Sequence, residues 1–113
     1  MEFQDLTAEE QKIIYQCLLA SVNGTFFPER GFHTLFGFTR AEVREIIDNW
    51  ETVDRDSSDV RIAINNSLNN LIGYPHRNDE ELRSFVSVSR QELIAVFTRW
   101  KGFSSEGYYH NMM

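Results

Sequence analysis

The chain reads as all-α, a compact helical domain built from two tandem, duplicated helix–loop–helix units, on three observations. One stretch is written twice, as Thr39-Arg40-Ala41-Glu42 running to Trp50 and as Ser89-Arg90-Gln91-Glu92 running to Trp100. Apolar residues in both copies fall at Val43/Leu93, Ile46/Val96, Ile47/Phe97 and Trp50/Trp100, the i, i+3, i+4, i+7 spacing of one helix face. A displacement of 50 residues aligns the rest of the chain without a gap: Ile14 on Ile64, Leu18 on Leu68, Val22 on Ile72, Phe32 on Leu82, Phe36 on Val86 and Phe38 on Val88. Few of these pairs are identical, so the signal lies in the pattern of core positions, cap and terminal Trp. The competing reading is that both segments merely obey common capping rules.

The elements follow in order. Thr7 with Glu10, Thr39 with Glu42 and Ser89 with Glu92 each form a capping box, in which a hydroxyl accepts from a first-turn N–H and the Glu reaches back to the cap N–H. The first helix carries Ile14, Leu18 and Val22 and ends at Asn23-Gly24, a pair that tolerates positive φ. Phe26, Phe27, Phe32, Phe36 and Phe38 make the next stretch aromatic, with a short helix expected from about Pro28 to Phe36. After the first doubled helix, the polar link from Glu51 to Asp59 supplies caps for a helix bearing Val60, Ile64, Leu68 and Leu71. Gly73-Tyr74-Pro75 closes that helix, and a short acidic helix near Asp79 to Phe85 leads to the second doubled one. The whole is expected to be a single domain, 1–113, with units at about 7–52 and 57–102 and a tail at 103–113. A unit of this size cannot bury both helix faces alone, so the two should share a core.

Bulk properties narrow the function. The 113 residues are 42% hydrophobic and 25% charged, as in ordinary globular proteins. No apolar run reaches the roughly 20 residues of a membrane span. The opening Met1 to Asp5 is acidic and unlike a secretory signal, and a lone cysteine, Cys17, suits a reducing compartment. The expected location is the cytoplasm. A net charge of −6 argues against generic nucleic-acid binding, because neutralising phosphates takes a basic surface.

The chemistry-bearing motifs are sparse. His33, His76 and His110 share no ligand spacing, so no metal is expected. Asp54-x-Asp56-x-Ser58 opens like a calcium loop, yet Asp59 and Asn65 stand where that loop needs Gly and Glu. No catalytic signature or phosphate loop is present, no cofactor is expected, and enzyme is the minority reading. Asn65, Asn66, Asn69 and Asn70 are expected to lie on a solvated flank, with a polar recognition face as the alternative.

Two features point to partners. Arg40 and Arg90 each follow a helix cap, where the helix dipole disfavours a cation. They are candidate anion-binding residues, unless they pair with a carboxylate such as Glu42, Glu92 or Glu45. The aromatic stretch has no apolar counterpart between Pro75 and Glu81, which leaves extra apolar surface on one side. Core packing is the default explanation for any aromatic; otherwise Phe26, Phe27 and Phe32 are the candidate interface. The leading expectation is a small non-catalytic interaction module that self-associates or binds a protein partner through the Phe-rich loop. Its rivals are nucleic-acid or anion binding through Arg40, Arg44, Arg90, Arg99 and Lys101, and an enzyme whose site is scattered along the chain.

Overall fold

Among the described residues six α-helices form where caps and apolar periodicity place them. In the computed structural model they are α1 (Ala8–Asn23), α2 (Glu29–Phe36), α3 (Arg40–Asp48), α4 (Ser58–Gly73), α5 (Asp79–Phe85) and α6 (Arg90–Lys101). The structure describes residues 2–24, 27, 29–73 and 79–101, and no strand occurs among them. Phe26, Pro28, Tyr74, Pro75, His76, His110 and the tail lie outside the described residues. The Cα radius of gyration is 13.2 Å, matching the roughly 13 Å expected of one close-packed chain of this length.

The helix starts follow the capping logic closely. Thr7 and Thr39 both accept from the backbone N–H three residues on, while Glu10 and Glu42 reach back to the cap N–H. At α6 the Ser89 hydroxyl accepts from the Glu92 N–H at 3.2 Å. Ser57 plays the same part for α4, accepting from the Val60 N–H at 3.4 Å. The Thr39 backbone N–H, and then its side chain, hold the Glu42 carboxyl below its ordinary pKa of 4.5. A lowered folded-state pKa means the contribution is complete above the ordinary value and is lost as pH falls through the shifted one. Thr39→Ala and Ser89→Ala are each expected to cost about 0.5–2 kcal/mol in urea unfolding, as lost caps do. The Thr39 loss should shrink once acid has protonated Glu42.

Some ends differ from expectation. Gly24 caps α1 in extended backbone (φ −81, ψ 175) rather than the left-handed region. Among the described residues the glycine with positive φ is Gly37 (φ 74), between α2 and α3. α3 stops at Asp48, and Trp50 sits in the following turn with its N–H on the Ile47 carbonyl. A short 3-10 helix, Phe3–Asp5, precedes α1. Phe3 is buried edge-on against Trp50, ring centroids 5.5 Å apart, and its N–H donates to Asp56 Oδ1 at 2.9 Å. Asp56 of the link thus accepts from a backbone donor. Asp54 Oδ1 likewise accepts from the Asp56 N–H.

α1 and α4 cross at the centre. The Ser67 hydroxyl of α4 donates to the Cys17 carbonyl of α1 at 3.0 Å, which small side chains at the crossing permit. Ser21 Oγ shares that carbonyl at 2.9 Å and lies 2.7 Å from Ser67 Oγ, so both buried hydroxyls are satisfied. Around this axis α3 packs on α1 and α6 on α4, while α2 lies against α4 and α5 against α1. Ile14, Leu18, Phe32, Phe36, Val43 and Trp50 are buried, and so are Ile64, Leu68, Leu82, Val86, Leu93 and Trp100. Cys17 is fully buried, and burial pushes its thiol pKa far up, so it packs as an uncharged small hydrophobe.

Candidate functional site

The expected sites are accounted for first. Phe27 and Phe32 are 4% and 1% exposed, so they belong to the core and are not the exposed apolar surface anticipated. Phe27 meets Phe36 edge-on (5.2 Å), and Phe36 stacks on Phe32 (4.3 Å). Phe26 lies outside the described residues.

The paired arginines also turn inward. Arg40 donates from Nη1 to the Ser21 carbonyl (3.3 Å) and to the Val22 carbonyl, and from Nη2 to the Phe27 carbonyl (3.3 Å). Its guanidinium carbon lies 4.4 Å from the centroid of the Phe32 ring. Arg90 Nη1 donates to the Ile72 carbonyl at 2.8 Å. In both cases the acceptor is 18 residues back, at the C-terminal end of the preceding long helix. That end carries orphan carbonyls and the negative pole of the dipole. A cation that is unfavourable at the start of its own helix is therefore well placed at the end of another. Backbone carbonyls, a kind of partner the sequence reading did not name, hold both arginines. Arg99 pairs with Glu10 (3.5 Å) and Lys101 donates to Asn65 Oδ1 (2.7 Å), so these cations too are engaged within the chain.

The asparagines are half-buried rather than solvated. Asn66 Nδ2 donates to the Phe36 carbonyl at the end of α2 (2.8 Å), and Asn70 Nδ2 donates to the Asn66 carbonyl (2.7 Å). They tie helices together. Among the described residues no group of His, Cys, Asp and Glu is arranged to hold a metal ion. No described helix is long and apolar enough to cross a membrane.

A groove of about 450 Å³ lies between α3 and the link into α4. Half-buried Phe38, Ile46 and Val53, with buried Val60, supply its apolar part. Exposed Glu42, Glu45 and Asp59 supply three negative charges, and no Lys or Arg lines it among the described residues. Asn49, Thr52 and Ser57 complete the wall with amide and hydroxyl groups. Local structure explains the arrangement. Val43 and Ile47 turn α3 toward α1, which leaves Ile46 on the flank facing the link. The turn after α3, held by the Thr52 and Val53 N–H groups on the Asn49 carbonyl, folds Val53 back toward that flank. Among the described residues of the Phe-rich stretch, Phe38, its last aromatic, reaches the groove.

Such a groove can bury a few apolar atoms and attract positive charge. Its lining brings three carboxylates, two hydroxyls and an amide beside that apolar floor. No family model matches the chain, and neither a curated protein nor a solved structure is similar to it.

Proposed function

We propose that the chain is a small non-catalytic interaction module whose α3–α4 groove takes an apolar segment of a protein partner flanked by Lys or Arg. The observation that supports this reading is the pairing of an apolar floor with an acidic rim. Phe38, Ile46 and Val53 lose water on contact, and Glu42, Glu45 and Asp59 select the sign of what docks. A basic partner fits better than a second copy, because two chains of net charge −6 repel.

The test uses the full chain and a fluorescent amphipathic peptide of Leu and Lys in helical period. Its anisotropy should rise with protein concentration, and the affinity should fall as salt screens the rim. Ile46→Asp should weaken binding by about tenfold or more, the loss of roughly one buried apolar contact. Glu45→Lys should act mainly through the association rate. A peptide of Leu and Glu binding equally well would defeat the reading, as would wild-type affinity in Ile46→Asp.

We further read the module as a tandem duplication of one helix–loop–helix unit. What supports this is a set of paired features at a single displacement. Cys17 and Ser67, which meet at the α1–α4 crossing, are 50 residues apart. The starts of α1 and α4, of α2 and α5, and of α3 and α6 are separated by that same interval. Arg40 reaches Val22 as Arg90 reaches Ile72. Asn66 of α4 binds the carbonyl closing α2, while Gln16 of α1 accepts from the Ser87 N–H just beyond α5 (3.4 Å). On this reading the groove is where the copies have diverged, since Ile46 is half-buried beside it whereas its counterpart Val96 is buried.

A further inference from the structure

The groove between α3 and the link into α4 also constrains which basic residue a partner brings to it. Resting on the reading of that groove as a docking site, we propose that it selects arginine over lysine, with the guanidinium laid on Phe38 and donating to Glu42, Glu45 and Asn49. Two observations carry the choice. The first is the hydrogen-bonding capacity of the lining. The Asn49 amide turns Nδ2 to the Glu45 carbonyl (2.8 Å), and the Thr52 hydroxyl donates to the Asn49 carbonyl (3.2 Å). A carbonyl only accepts, so that bond orients the Asn49 amide and leaves its Oδ1 as an acceptor. Glu42 gives Oε1 to the Thr39 N–H (2.8 Å). Among the described residues the carboxylates of Glu45 and Asp59 have no hydrogen-bond or ion-pair partner. What remains is a wall rich in acceptors.

The second observation is Phe38. It lines the groove half-buried, and among the described residues no ring or cation lies against it. Elsewhere the chain lays guanidinium groups on aromatic rings, Arg40 over Phe32 at 4.4 Å and Arg55 over Phe3 at 5.1 Å. An aromatic ring beside carboxylates matches arginine, whose planar, weakly hydrated guanidinium stacks on a ring and still donates from its edges. Glu42 and Glu45, three residues apart on α3, are neighbours on one helix face, so two edges of one guanidinium can reach both. Lysine brings three donors to a single, strongly hydrated point and gains less from a ring in an open groove.

The test compares two fluorescent peptides of one pattern, Leu with Arg and Leu with Lys in helical period, by anisotropy on the full chain. The arginine peptide is expected to bind about fivefold more tightly, the gain of one cation–π contact at a partly exposed site. Phe38→Leu keeps the apolar floor and removes the ring, so the two affinities should converge while that of the lysine peptide hardly changes. Phe38→Tyr, which keeps a ring, should retain the preference. Asn49→Ala, at an exposed position, should lower it without touching the floor. Equal affinities of wild type for the two peptides, with Ile46→Asp still weakening both, would overturn this proposal and leave the docking site standing. So would a preference undiminished in Phe38→Leu, or in Asn49→Ala should Phe38→Leu fail to fold, because it would then reflect only the general affinity of arginine for acidic surfaces. Binding of neither peptide would overturn the docking site itself, and this proposal with it.

Discussion

Phe32→Ala is expected to cost about 3–5 kcal/mol, which is a third or more of the net stability of a typical domain of this size. The ring is 1% exposed, stacks on Phe36 at 4.3 Å and lies under the Arg40 guanidinium at 4.4 Å. Removing it opens a cavity that rigid neighbours on α2 and α4 can fill only in part. It also strips the cation–π contact from Arg40, worth roughly 0.5–1 kcal/mol more. Phe27→Ala should follow the same course, since its 4% exposed ring sits edge-on against Phe36. Urea unfolding is the measurement. An ordinary midpoint in both mutants, with loss of an oligomer in light scattering, would instead return these rings to a surface.

Arg40→Ala is expected to cost about 2–3 kcal/mol, and Arg90→Ala less than about 1 kcal/mol. Both arginines satisfy carbonyls that end a long helix, so the sign is shared. The size differs because Arg40 is half-buried and reaches the Ser21, Val22 and Phe27 carbonyls at once, whereas Arg90 is exposed where water competes for Ile72. Relief of the unfavourable charge at the start of α3 offsets some of the Arg40 loss, by about 0.3–1 kcal/mol. Arg40→Lys keeps the charge but not the planar fork, and should fall between wild type and Arg40→Ala. Equal midpoints for Arg40→Ala and wild type would contradict a structural role and restore the anion-binding reading.

The contrast between these residues shows where sequence reasoning reached and where it stopped. Helix positions were legible because their causes are local. Thr7, Thr39 and Ser89 announce starts within four residues, and the Ile14-Leu18-Val22 and Ile64-Leu68-Leu71 spacings declare buried faces. Fates decided by distant partners were not. Nothing near Arg40 in the chain names the Val22 carbonyl 18 residues away, so the arginine looked misplaced on its own helix. Phe36 is one turn from Phe32 within α2 and was within reach of sequence reasoning. The docking of Phe27 on Phe36 and of Arg40 over Phe32, however, depends on how the chain folds around α2. Phe3 was passed over in an acidic opening, since the Asp56 carboxylate and Trp50 ring that hold it lie some 50 residues on. The groove was hidden for a related reason. Glu42 is legible as a cap and Asp59 as a first-turn acid, but their convergence with Phe38 and Val53 depends on how the link turns after α3.

The account of function stands on that groove, and amide resonance mapping with the Leu/Lys peptide tests it most directly. The predicted result is a set of saturating shifts at Phe38, Ile46, Val53 and Asp59 that vanish in Ile46→Asp, with α5 and the start of α6 unmoved. Shifts centred on α5 and α6, or none anywhere at concentrations well above the anisotropy midpoint, would contradict it.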